Sequence, residues 1–246
     1  MTSDYTVNES DLREALDPEF YSDIIECGGL ARAIEGAAHE YSVNLGAVRP
    51  QSKMRLALYR TASVKSNRGR VRIGIILGNR TFSMAFDSAR GHFVWASGGT
   101  GNLVDVVQAL DAWRNGCLLA DMNRRFPFIQ YPRLSLGYEN GTPVETAWEI
   151  LFEGASDSGR NELLATVYAD ERLRKLFPYF SHETLRLARN CYDREAGEFS
   201  VAWQPDATIL VNFSSAHHDM RRTVRAPMEI ADAILSMLDD SASDAS

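Results

Sequence analysis

The chain has 246 residues, 45% of them hydrophobic and 24% charged, and a net charge of −7. That is an ordinary globular composition, with room for one large domain or two small ones that each bury a core. No apolar run approaches the roughly 18 residues of a membrane helix. The acidic N-terminus lacks a signal- or transit-peptide pattern, and Cys27, Cys117 and Cys191 form no CxxC or disulfide framework. A cytoplasmic protein without membrane contact, cofactor or metal is the expectation.

Residues 1–18 carry no apolar period and read as a flexible arm. A helical pattern begins at Pro18 and is strongest where Leu30, Ile34, Ala37, Ala38 and Tyr41 share one stripe; Gly28-Gly29 breaks it, and Gly46 and Pro50 close it. Four strands should follow. Met54, Leu56 and Leu58 alternate with Lys53, Arg55, Ala57 and Tyr59 in KMRLALYR (53–60), VRIGIIL (71–77) returns after the Asn67-Arg68-Gly69 turn, and TFSMAF (81–86) and HFVWA (92–96) complete a meander. Beyond Gly98-Gly99-Thr100-Gly101 comes an amphipathic helix with Leu103, Val106, Val107 and Leu110 on one face. Thr100 or Asn102 can cap it, and Asp105 suits its N-terminal dipole.

Residues 116–160 read as a connector. It holds a short helix (CLLADMNRR), the aperiodic FPFIQYPRLSLGYENGTP, and a helix over ETAWEILFEG. NELLATVY and DERLRKLF continue as helices. Strands return in TLRLAR, FSVAW, TILVNF and RTVRA, before the helix MEIADAILSML and a disordered tail, 241–246. Thr81, Phe86 and Asp105 correspond to Thr208, Phe213 and Asp232 at one offset of 127, and MRLAL echoes LRLAR. The predicted fold is therefore α+β: two related antiparallel four-stranded sheets, each flanked by helices (repeats 19–115 and 161–240), joined by the helical connector.

Three stretches resemble a bacterial domain family of unknown function that carries the name natural product biosynthesis protein. They are LARAIEGAAHEYSVNL, ALDAWRNGCLLADMNRRFPFI and YADERLRKLFPYFSHETLRLAR. The family-like positions are Ala112-Trp113, Gly116, Leu119-Ala120-Asp121, Pro127-Phe128, Leu176, Pro178, Ser181-His182 and Leu185-Arg186. The resemblance spans about Tyr21 to Leu238 and implies an accessory role near biosynthetic genes. It brings no established reaction and no catalytic residue.

Charge supplies the main functional signal. Between Glu40 and Asp87 there is no acidic residue, but there are nine lysines and arginines. With Lys53 and Arg55 on one strand and Arg70 and Arg72 on the next, beside Tyr59, the wet face becomes a positive platform that Lys65 and Arg68 extend. Such a face takes an acidic protein partner or pairs with the chain's own acidic helices. The net charge of −7 and the lack of a recognisable motif argue against nucleic acid.

Weaker features accompany it. Gly99, Thr100 and Gly101 precede a helix and could hold an anion, but no P-loop Lys-Ser/Thr or GxGxxG is present, and a plain glycine turn is the simpler reading. His217-His218-Asp219 lacks a third ligand and suits a hairpin turn rather than a metal. Cys27 would be an activated thiolate only at a helix start. His182, beside Ser181, is the best lone candidate for catalysis, without a completed constellation.

The sequence therefore points to a non-catalytic interaction or accessory protein. Its alternatives are an immunity or antitoxin protein and an enzyme of secondary metabolism with a site around His182. Oligomeric state stays open.

Overall fold

Strand residues alternate between buried and solvent-facing positions and build two antiparallel sheets, one of six strands and one of five, in a computed structural model that describes residues 8–90, 93–155, 158–216 and 218–243. Ten α-helices accompany them among the described residues. The α+β class is as expected; four strands per sheet is not. The chain divides into two compact units, Met1–Ser135 and Leu136–Ser246.

In the first unit three helices, α1 (Glu9–Ala15), α2 (Pro18–Glu26) and α3 (Leu30–Glu40), lead into β1 (Val48–Arg49) and the one-turn α4 (Ala57–Arg60). The meander β2 (Thr61–Ser66), β3 (Gly69–Ile76), β4 (Thr81–Ser88) and β5 (Val94–Thr100) follows, then α5 (Leu103–Arg114), α6 (Leu119–Arg125) and β6 (Ile129–Gln130). Sheet order is β1-β2-β3-β4-β5-β6. Ala62, Val64, Val71, Ile73, Phe82, Met84 and Phe86 point from one face into a core closed by α3 and α5, which contribute Leu30, Ile34, Val106, Leu110 and Trp113. The Asn102 side chain caps α5 by accepting from Val104 N, as the sequence predicts.

Helix α7 (Arg133–Asn140) crosses the division between the units. The second unit comprises α8 (Pro143–Gly154), α9 (Ser158–Ala169), strands β7 (Phe177–Ser181), β8 (Thr184–Ala188), β9 (Glu198–Trp203), β10 (Ile209–Ser214) and β11 (Asp219–Val224), and α10 (Glu229–Ser243). Its order, β11-β10-β9-β8-β7, is a pure meander. Leu185, Leu187, Phe199, Val201, Ile209, Val211 and Phe213 face Trp148, Leu164, Ile230 and Ile234 from the helices. Both units thus run from helices through a meander into a helix, with four consecutive strands (β2–β5) before α5 in the first and five (β7–β11) before α10 in the second. Phe86 and Phe213 are core residues of β4 and β10, and Asp105 and Asp232 sit in the first turns of α5 and α10.

Several expectations are corrected. Within the proposed arm 1–18, residues 1–7 lie outside the described residues, but Glu9–Ala15 form a helix that buries Leu12, Ala15 and Leu16. KMRLALYR is not a strand. Met54 is 75% exposed, and the segment turns through Leu58 N donating to Met54 O before α4. The connector contributes an edge strand, β6, to the first sheet, and DERLRKLF is a single 3-10 turn (Leu173–Lys175) running into β7.

Tyr21 shows how α2 is fastened to the sheet. Its ring is fully buried, and its hydroxyl accepts from Thr81 N at 2.8 Å while lying 2.7 Å from Asn79 O and 2.9 Å from Ile76 O, so it gathers the β3–β4 turn. Beside it Arg80 grips Asp23 with two bonds of 2.8 and 2.7 Å, and these hydrogen bonds hold the Asp23 carboxyl below its ordinary pKa.

Candidate anion-binding site on the first sheet

Strand register decides which cations meet. Lys65 on β2 lies opposite Arg70 on β3, and Ser63 lies between Arg49 of β1 and Arg72 of β3. Because Ala62, Val64, Val71 and Ile73 are sent to the core, these residues project from the opposite face. Arg114, in the last turn of α5, reaches the same place and donates to the Lys65 carbonyl. Its guanidinium lies beside Gly46, whose φ of +67° is the left-handed conformation that favours glycine.

Arg49, Lys65, Arg70 and Arg114, with Ser63, Ala47 and Pro50, line a concavity of about 390 Å³. No carboxylate among the described residues lines it. Among the described residues, the side chains of Arg49, Lys65 and Arg70 make no hydrogen bond or ion pair, and each is exposed. Arg72, the neighbouring cation, is different: Nε and Nη2 form a fork to Asp87 at 2.5 and 2.8 Å.

The predicted platform is therefore redistributed. Arg70 and Arg72 occupy the open face as expected. Lys53 is an exposed residue of the turn before α4, and Arg55 pairs with Asp11 and Glu14 of α1. Tyr59 is 4% exposed, and its hydroxyl accepts from Asn8 N at 3.1 Å, so it presents nothing to a partner. Arg68 lies between Trp95 and Trp113, 4.5 and 3.9 Å from the ring centres, where it stabilises the core rather than the surface. Two contributors escaped the sequence reading, Arg49 and Arg114. Arg49 stood inside the acid-free interval and was legible in part; Arg114 had no local signal.

The other candidates are placed as follows. Gly99 and Thr100 belong to β5, and a Cβ at neighbouring Gly98 would lie 2.1 Å from Phe128 O, so backbone approach of β6 explains that glycine. A Cβ on Gly101 would stand 2.9 Å from Arg80 O. Thr100 Oγ1 donates to Asp105 Oδ2 at 3.2 Å, which puts a carboxylate where an anion would have to sit.

His182 is exposed in the β7–β8 turn, with φ +47° followed by Glu183 at +63°. Ser181 Oγ is 3.3 Å from its Nδ1, and the cavity there, about 230 Å³, also touches Phe180, Trp203 and the Arg160–Glu183 pair. His217 lies outside the described residues, and His218 closes the β10–β11 turn by accepting from Ser215 N at 2.9 Å. Cys27 ends α2 instead of starting a helix. Burial, then Asp23 and Glu26, raise its pKa, the opposite of an activated thiolate.

Residues 142–238 match the model of a family of unknown function, DUF6193, a span wholly inside the second unit that includes the FPYFSHETLRLAR segment. No curated protein and no solved structure matches the chain. Among the described residues no helix is long and apolar enough to cross a membrane.

Proposed function

We propose that this is a non-catalytic interaction or accessory protein of the cytoplasm whose first unit docks an acidic protein partner on the open face of its sheet. One observation carries the reading: four cations from four different elements converge on one concavity that no carboxylate lines, and three of them are without a side-chain partner among the described residues. Holding like charges together in the free protein costs Coulomb energy, and an acidic partner relieves it. An immunity protein that neutralises a toxin is one form of this reading, and rescue by co-expression with a neighbouring toxin tests that form.

The enzyme alternative is weaker, because His182 sits exposed on a hairpin turn and, among the described residues, its ring is hydrogen-bonded to its neighbour Ser181 alone. The reading is tested by titrating the full chain with an acidic glutamate-rich peptide. Lys65→Glu with Arg70→Glu should abolish binding, while Lys53→Glu, outside the concavity, should leave it within about twofold. Equal binding by all three proteins removes this face from consideration.

A further inference from the structure

The concavity contains more cationic donors than a carboxylate can use. A carboxylate has two oxygens and one charge, and a single guanidinium fork satisfies it. Here Arg49 and Arg70 bring two free forks, Arg114 a guanidinium that spends Nη1 on the Lys65 carbonyl and keeps its other donors, and Lys65 an ammonium, to a space of about 390 Å³. One carboxylate bound among four cations would leave most of that charge uncompensated. A phosphate monoester has three terminal oxygens and a charge of roughly −1.5 to −2 near neutral pH, and planar guanidinium groups pair with it bidentately.

The rest of the lining limits what the phosphate is attached to. Among the described residues no aromatic ring lines the concavity, so a nucleobase would find nothing there to stack on. The apolar contribution is confined to Ala47 and Pro50, too little for a large hydrophobic ligand. The buried Ser63 hydroxyl is engaged with Arg49 O at 3.2 Å, so recognition falls to the four charged groups.

We infer that this concavity is a phosphate-monoester site and that the acidic partner presents a phosphorylated side chain to it. The inference rests on the docking reading above and narrows it. Arg72 stands outside the set because Asp87 already occupies its fork.

Isothermal titration of the full chain with three probes tests it: a Gly/Ser peptide carrying one phosphoserine, the same peptide with glutamate in that place, and inorganic phosphate. The phosphopeptide should bind at least tenfold tighter than its glutamate twin, and Lys65→Gln with Arg70→Gln should remove that preference while the melting temperature stays unchanged. If the glutamate peptide binds as well as the phosphopeptide, the phosphate inference is overturned and the acidic-partner reading survives. Inorganic phosphate binding as tightly as the phosphopeptide would keep the ligand chemistry and overturn the partner as its source. If no probe binds, both are overturned.

Discussion

The open faces of the two sheets are built on the same plan and dispose of their charge in opposite ways. On the second sheet, Tyr179, Arg186, Ser200, Asn212 and Arg221 stand in one row across five strands. Arg186 Nη1 donates to Glu198 Oε1 at 2.7 Å, the Tyr179 hydroxyl donates to the other Glu198 oxygen, Asn212 donates to Ser200 Oγ at 3.3 Å, and Arg221 Nε donates to Asn212 Oδ1 at 3.1 Å. Only Arg186 Nε, in that row, is buried without a partner. On the first sheet the corresponding surface pairs Arg72 with Asp87 and leaves Arg49, Lys65 and Arg70 around a hollow. Paired charges on a strand face serve the fold; on the first sheet the nearest carboxylate, Asp87, is committed to Arg72, and like charges gathered with so little counter-charge work against the fold.

Charge reversal separates the two faces most sharply. Lys65→Glu with Arg70→Glu should weaken capture of an acidic probe by about a hundredfold or more, because each replaces a charge-assisted contact with a repulsive one. Folding stability should stay within about 0.5 kcal/mol, the usual range for exposed substitutions. The second face should behave the other way round. Glu198→Gln takes the charge from a carboxylate that is 17% exposed and that both Arg186 and Tyr179 use, and should lower stability by about 1–3 kcal/mol in urea unfolding with no effect on binding. Equal stability losses from the two sets of changes would erase the distinction.

How far this contrast could be read from sequence depended on the range of each contact. The β3–β4–β5 meander was legible because Val71, Ile73, Phe82, Met84 and Phe86 alternate cleanly toward the core, and α5 because Asn102 announces its start. KMRLALYR misled for an instructive reason: its alternation is as regular as a strand's, yet Leu56 and Leu58 are half-buried from a turn and a single helical turn while Met54 faces solvent. With that segment, half of the predicted platform moved away. β7 was missed because Pro178 interrupts its pattern, which an edge strand tolerates. β1 has only two residues, too short for any period, and Arg114 meets Lys65 across 49 residues of sequence. The acid-free interval therefore falls largely on the first sheet, while tertiary contacts decide which of its cations line the concavity.

Asp87 offers the smallest and most discriminating change. It faces Arg70 across the β3–β4 pair and forks to Arg72, so it is the one carboxylate placed to moderate the cluster among the residues paired with β3. Asp87→Asn should cost about 0–1 kcal/mol of stability, since Arg72 is 48% exposed and the pair is screened by solvent. It should also free a guanidinium beside the concavity and remove a nearby negative charge. Both changes favour an anion, so affinity for a phosphopeptide or a glutamate peptide should rise by roughly twofold to fivefold at low salt, and the gain should fade as salt rises above the physiological level. If affinity is instead unchanged or falls, Arg70 is not part of the anion's surroundings, and the first face would have to be regarded as a solvated surface like any other.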